Sequence, residues 1–379
     1  MGTKLILIAL IVIMMPHISN NKIDMPFSWI AYNNSARTCQ VNDNVEIKKE
    51  NIKLSAKIET QTVLSSVAFK DRVLLIKKLN KNQNLVACYQ ADTLTKLWEY
   101  PIALILNYTP ICYNGNLYYY SYDGNEIISL SITDGKKVAS AGIEHSMNYN
   151  PFNADGSNVF CVSKTSLFSF DAATLKKNWE CPIGKIIYCN YCIADNKIIL
   201  YAQDKMFAIN ETNGQIIWER MVPYCDTQTE MMVYNGIIYK YYNDKICTYS
   251  LKNGSSLSSY EAKTFTSMSI CNNKLIITMA YYGMECLSLD MSKKYWQREN
   301  IAAINDTLSP LIIGNKIFCV SYMGSNRVTN SVLIDGDRGE VIWNVEPYTR
   351  LITNPLHYAN KSLVFYCNGF LYSYALTKK

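Results

Sequence analysis

The sequence predicts an all-β protein, an eight-bladed β-propeller of four-stranded antiparallel blades whose ring closes by pairing an N-terminal strand with the C-terminal blade. Three observations predict it. A tryptophan column recurs at multiples of about 40 residues, a column of hairpin turns runs in phase with it, and no stretch carries sustained helical periodicity. Composition agrees: of 379 residues, 49% are hydrophobic and 12% aromatic, with 29 Tyr against only 16 Gly and 10 Pro. That balance favours strands and excludes disordered, collagen-like and multi-pass membrane chains.

The chain begins with Leu5–Met15, an apolar run preceded by Lys4 and ended by Pro16. A bilayer-spanning helix needs about 20 apolar residues, so the run reads as the core of a signal peptide over residues 1–19 rather than a membrane span. Cleavage after Ser19 is the expectation, although His17 stands where a small residue is preferred; a buried first strand or helix is the alternative. Export to the periplasm, the cell envelope or the exterior follows from the signal peptide. No Cys stands near the end of the run, so no lipid anchor of the bacterial kind is expected. Residues 20–45 read as an extension without a partner in the repeat, with Trp29 covering one face, and 46–379 as the propeller. The Lys-rich stretch from Lys48 to Lys81 is interrupted by Glu50, Glu59 and Asp71 and reads as a solvated face. With a net charge of +6 and no clustered basic stripe, a nucleic-acid partner is not expected.

Five tryptophans set the repeat: Trp98, Trp179, Trp218, Trp296 and Trp343, spaced by 81, 39, 78 and 47. Two spacings are close to twice the smallest, which places missing members near 139 and 258. A turn stands four residues before the column in most copies, at Asp134-Gly135, Asn213-Gly214, Asn253-Gly254 and Arg338-Gly339, while Leu94 and Leu175 take the glycine place in two others. A second turn follows each copy by about 17 residues, at Asn114-Gly115, Asp155-Gly156, Asp195-Asn196, Asn235-Gly236, Asn272-Asn273, Gly314-Asn315 and Asn360-Lys361. One more turn, Lys70-Asp71, lies upstream, and stepping back from it lands on Leu54 as the first member of the column. A blade cannot bury both faces alone. Stacked radially it can, so Leu54 and the five tryptophans read as plugs between blades rather than ligands.

Thirteen Cys in an exported chain suggest disulfides, but Cys88, Cys161, Cys247, Cys286, Cys319 and Cys367 lie inside apolar strands and read as small hydrophobes. Cys189 and Cys192 form a CxxC, read as structural, with a local disulfide or a metal or redox pair as alternatives. Only His17, His145 and His357 exist. With no catalytic or phosphate-binding motif either, no catalytic or metal site is expected.

The copies FSFDAATLKKNW (168–179), FAINETNGQIIW (207–218) and VLIDGDRGEVIW (332–343) resemble the repeat of the pyrroloquinoline-quinone-like (PQQ-like) propeller family. Two branches follow from that resemblance. The BamB-like branch implies a non-enzymatic scaffold that binds protein. The quinoprotein branch implies a dehydrogenase holding PQQ and calcium on the axis, with an adjacent Cys-Cys pair and an Asp base. No adjacent Cys pair occurs, and Asp226 and Asp306 are isolated, so the expectation is a scaffold without cofactor, PQQ and calcium belonging only to the alternative. In such propellers one face is formed by the loops entering each blade and the turns between second and third strands. Here those segments carry Tyr108, Tyr149, Tyr224, Asp226, Tyr122, Tyr242, Tyr282 and Tyr322. Tyr gives large contact area at low entropic cost, so a monomer binding a protein, peptide or glycan on this face is the expectation.

Overall fold

The structure is a computed structural model describing residues 39–376, apart from 42–46, 48, 61–62, 81–82, 104–109, 122–123, 144–146, 185–188, 203, 224–230, 280–282, 300–309, 324–327, 350–356 and 368. It contains eight sheets in a ring, each built on a four-stranded antiparallel blade, with a single 3-10 turn at Lys49–Asn51 as the one helical element among the described residues. Blades 1 to 7 span residues 63–103, 111–142, 147–182, 189–221, 231–261, 265–298 and 311–349 in chain order. Blade 8 takes its inner three strands from His357–Ala359, Ser362–Cys367 and Phe370–Leu376, and its outermost from Ile52–Glu59. The expected closure is therefore the observed one.

Local chemistry explains the blades. Turns such as Asn114-Gly115 (φ 46° and 78°) and Asn235-Gly236 (φ 47° and 72°) place two successive left-handed residues, the geometry that matches the twist of a hairpin. Inner strands are buried on both faces, as in Lys197–Ala202, whereas outermost strands such as Lys137–Gly142 and Ser256–Glu261 alternate between exposed and half-buried. The cores are accordingly seams between neighbouring blades. Clusters form around Phe160 and Leu200 between blades 3 and 4, and around Phe318, Phe365 and Tyr374 between blades 7 and 8.

Two expectations are corrected. Within the extension expected to lack a partner, Cys39–Val41 pairs in parallel with Leu311–Ile313, the innermost strand of blade 7, and makes that sheet five-stranded. The rest of the extension, with Trp29 and the expected signal peptide, lies outside the described residues. The second correction concerns the column. Trp98 pairs with Cys88 just past a bulge, and the same place in Ile52–Glu59, opposite Ser373, belongs to Ala56. Leu54 lies on the other side of the bulge, opposite Tyr374, and is 52% exposed. The column thus runs Ala56, Trp98, Ala139, Trp179, Trp218, Ser258, Trp296, Trp343.

Cys88, Cys112, Cys161, Cys181, Cys247, Cys271, Cys286 and Cys319 are free thiols, all of them buried. Burial pushes the Cys88 thiol up to about 11 and holds Cys112 and Cys161 well above the ordinary thiol range, so these side chains are packing groups rather than nucleophiles.

Candidate functional site: the seams and the pocket between blades 2 and 3

Column residues face the turn between the third and fourth strands of the next blade, except Trp343. The Trp179 indole lies flat on Gly214, where a Cβ would stand 2.6 Å from the ring, and Trp98, Trp218 and Trp296 meet Gly135, Gly254 and Gly339 in the same way. Glycine is therefore required by the neighbour's ring as well as by the turn's left-handed φ. Each of these indoles also donates to a carbonyl of that next turn: Trp98 to Ile132 (2.8 Å), Trp179 to Glu211 (3.1 Å), Trp218 to Leu251 (3.3 Å) and Trp296 to Gly336 (3.0 Å).

Where the column residue is small, the turn residue is large. Leu94 packs in the cluster of Ala56, Leu175 in that of Ala139, and Met291 follows the Ser258 blade. The carbonyl is then satisfied from inside the blade. Tyr118 donates to Ala172 (2.6 Å), Tyr239 to Leu289 (2.9 Å) and Ser373 to Ala91 (2.6 Å). At the register of Tyr118 and Tyr239, the tryptophan-bearing blades carry Leu74, Phe160, Ile199, Ile276 and Phe318. One acceptor is thus capped by either of two donors, which avoids the cost of a buried unsatisfied carbonyl. Trp343 faces blade 8, where no turn joins the third and fourth strands, and its ring instead meets Tyr374 edge-on at 5.2 Å.

The seam between blades 2 and 3 is not filled. Blade 2 presents Ala139 and then Ala141 to blade 3, followed by Gly142, where an added Cβ would meet nothing within 4 Å. The result is a pocket of about 290 Å³. Its floor is Phe168, Phe170 and Leu175, all at least nine-tenths buried, and its far wall is Ala141 and Gly142. Lys177 and Glu180, exposed on the outer strand of blade 3, stand at its rim and pair with each other at 3.0 Å. The Lys177 ammonium also lies 5.7 Å from the centre of the Phe168 ring. The sequence carried the signal, two alanines at alternate positions of the outermost strand of blade 2, but it becomes legible only when blade 2 is set against its neighbours.

Of the expected Tyr-rich face, Tyr108, Tyr122, Tyr224, Asp226 and Tyr282 lie outside the described residues. Tyr149 and Tyr322 fall within the strands Met147–Asp155 and Lys316–Met323, but their side chains are likewise outside. Tyr242 ends the strand Ile237–Tyr242 half-buried against the cluster of Trp218 and Met231, and its hydrogen bond with the Cys247 thiol helps hold its hydroxyl up to about 12. It is placed as a packing residue.

Two of the buried titratable groups elsewhere, His357 and Glu211, have displaced pKa values. Burial lowers His357 to about 3, and its Nε2 is 2.8 Å from Ser66 Oγ between blades 8 and 1, which keeps the ring neutral at physiological pH. Glu211, 8% exposed in the turn under Trp179, is raised to about 7 by burial and by the nearby Asp155 carboxylate. The unfolded chain releases this proton near the ordinary 4.5 and the folded protein only near 7, so stability falls as pH rises through that window. Glu211→Gln is expected to gain about 2–3 kcal/mol at pH 8 and nothing at pH 4, read from urea denaturation at both values. An equal effect at the two pH values would disprove the assignment.

Among the described residues no group of three His, Cys, Asp or Glu is placed to hold a metal, and no helix is long and apolar enough to cross a membrane. Comparison with known proteins agrees on the architecture. An uncharacterised protein of Rickettsia conorii is 21% identical over 67% of this chain and 68% of its own. The crystal structure of BamB from Moraxella catarrhalis superimposes with a TM-score of 0.64 at 13% identity, covering 86% of this chain and 98% of that one. A europium-containing methanol dehydrogenase gives 0.65 at 11% identity, covering 91% of this chain and 90% of its own. At such identities the likeness to these two structures shows the fold alone. The family model described as outer membrane protein assembly factor BamB matches residues 53–345, nearly the whole ring, and the chain belongs to that family of PQQ-like propellers.

Proposed function

We propose that this propeller is a non-enzymatic binding scaffold, exported to the cell envelope or beyond, whose ligand is a protein, peptide or glycan. The observation that carries the reading is the family match over residues 53–345, to an assembly factor rather than an oxidoreductase. Function resides in sites rather than folds, so the likeness to dehydrogenases at 10–11% identity adds no catalytic reading of its own. The sequence also lacks the adjacent Cys pair of the quinoprotein branch. The test is an absorbance titration of the purified chain with PQQ and calcium, followed by a dye-linked alcohol oxidation assay. No cofactor uptake and no turnover are expected; uptake with turnover would replace the scaffold by a dehydrogenase. Fractionation of cells expressing the full chain is expected to find it outside the cytoplasm, and retention in the cytoplasm would remove the export half of the proposal.

A further inference from the structure

We propose that the pocket between blades 2 and 3 receives the side chain of a tyrosine from a partner polypeptide. The occupant is read from the seam between blades 5 and 6, which also lacks the column tryptophan. There the residue two beyond Ser258 is Tyr260, whose hydroxyl donates to Glu285 at 2.6 Å beside Lys294. Strand register makes the two seams directly comparable. Ala141 pairs with Ile127 as Tyr260 pairs with Ile246. Phe168 and Glu180 face each other as Glu285 and Gln297 do, and Lys177 holds the place of Lys294.

The space left by Ala141 is therefore the space that Tyr260 fills in the sister seam, with an aromatic floor in Phe168 in place of a carboxylate. In the third tryptophan-free seam, between blades 8 and 1, the same place is filled by Ile58, packed beside Leu94. An indole is the wrong occupant, because Leu175 fills the indole's place and Tyr118 has already capped the Ala172 carbonyl. What remains accepts one phenol ring, packed on Phe168, whose hydroxyl donates to the rim carboxylate of Glu180 while Lys177 balances the charge. Aromatic rings packed this way gain attraction beyond the area they bury. The polypeptide source rests on the binding-scaffold reading above; the ring site does not.

The test uses the full chain and ligand-observed NMR with p-cresol, toluene, Gly-Tyr-Gly and Gly-Leu-Gly. Both p-cresol and Gly-Tyr-Gly are expected to bind, and Gly-Leu-Gly not to. Ala141→Tyr and Ala141→Leu fill the pocket and are expected to weaken p-cresol by about tenfold or more. Glu180→Gln changes only an exposed side chain, so the fold survives it; it is expected to weaken p-cresol several-fold and leave toluene unchanged. Absence of p-cresol binding to the parent protein would overturn the site. So would affinity unchanged in both filled variants, or, where these do not fold, in Glu180→Gln. Binding of p-cresol without Gly-Tyr-Gly would overturn the polypeptide source and leave the scaffold reading to its own assay.

Discussion

Replacing Trp218 by Ala is expected to cost about 3–5 kcal/mol, and adding Leu at Gly254 in the same chain to recover a large part of it. Trp218 is 9% exposed and packs with Tyr249 and Leu251 of blade 5, so its removal leaves both a cavity and an unpaired Leu251 carbonyl. Gly254→Leu alone is also damaging, because at φ +69° its Cβ would stand 2.8 Å from the indole. Overpacking of this kind costs about 1–3 kcal/mol, and a left-handed non-glycine residue adds on the order of 1 kcal/mol. Yet the chain already contains the double substitution. Leu94 and Leu175 hold the glycine place at φ 54°, facing Ala56 and Ala139. The two changes should therefore couple favourably by about 1–3 kcal/mol in a urea-denaturation cycle. Ile199→Tyr, which copies Tyr118 at its register, should return about 1 kcal/mol more by capping the Leu251 carbonyl. Strict additivity of Trp218→Ala and Gly254→Leu would refute the complementarity of column and turn.

That complementarity also marks how far the sequence could be read. Fold class, blade number, strand count and closure are all legible, because a Trp and two turns per period report the repeat directly. The assignment of Leu54 fails for a physical reason. The step from a column residue to the next hairpin turn varies, from 14 residues between Ala56 and Lys70 to 18 between Trp296 and Gly314, so a fixed step overshoots the short ones. The exchange of Gly for Leu at 94 and 175 looks like noise within any one period. It acquires meaning only when residue 175 is set against Ala139 of the preceding blade, a pairing that the ring creates. The pocket was hidden in the same way. Ala141 is unremarkable in its own strand, and only the comparison with Tyr260 and Ile58 shows what is absent from the seam.

Truncation of the chain through Glu59 is expected to abolish cooperative folding, and a peptide spanning residues 50–60 added in trans to restore it. Ile52–Glu59 is the one outermost strand not joined by a turn to its own blade; it pairs with Phe370–Leu376 from Ile52–Leu376 to Glu59–Phe370. Its inward side chains seal two seams: Ile52 joins the cluster of Phe318 and Phe365, while Ala56 and Ile58 pack with Leu94 and Leu371. Ser55 donates to the Ser373 carbonyl at 2.9 Å, and the Lys57 ammonium lies 4.2 Å from the centre of the Phe370 ring. Removing the strand opens an unpaired sheet edge on blade 8 and uncovers Leu94 on blade 1, so the ring becomes an open arc with two exposed apolar ends. A domain's whole stability is about 5–15 kcal/mol, and losing a ladder together with two seams is a loss of that order. The other blades cannot compensate, because each buries its faces only against its neighbours, and both seams that flank blade 8 are weakened at once. Circular dichroism melts of the truncated chain, with and without the peptide, decide the matter. An unchanged, cooperative transition without the peptide would mean that seven complete blades hold the ring unaided and that the N-terminal strand merely decorates it.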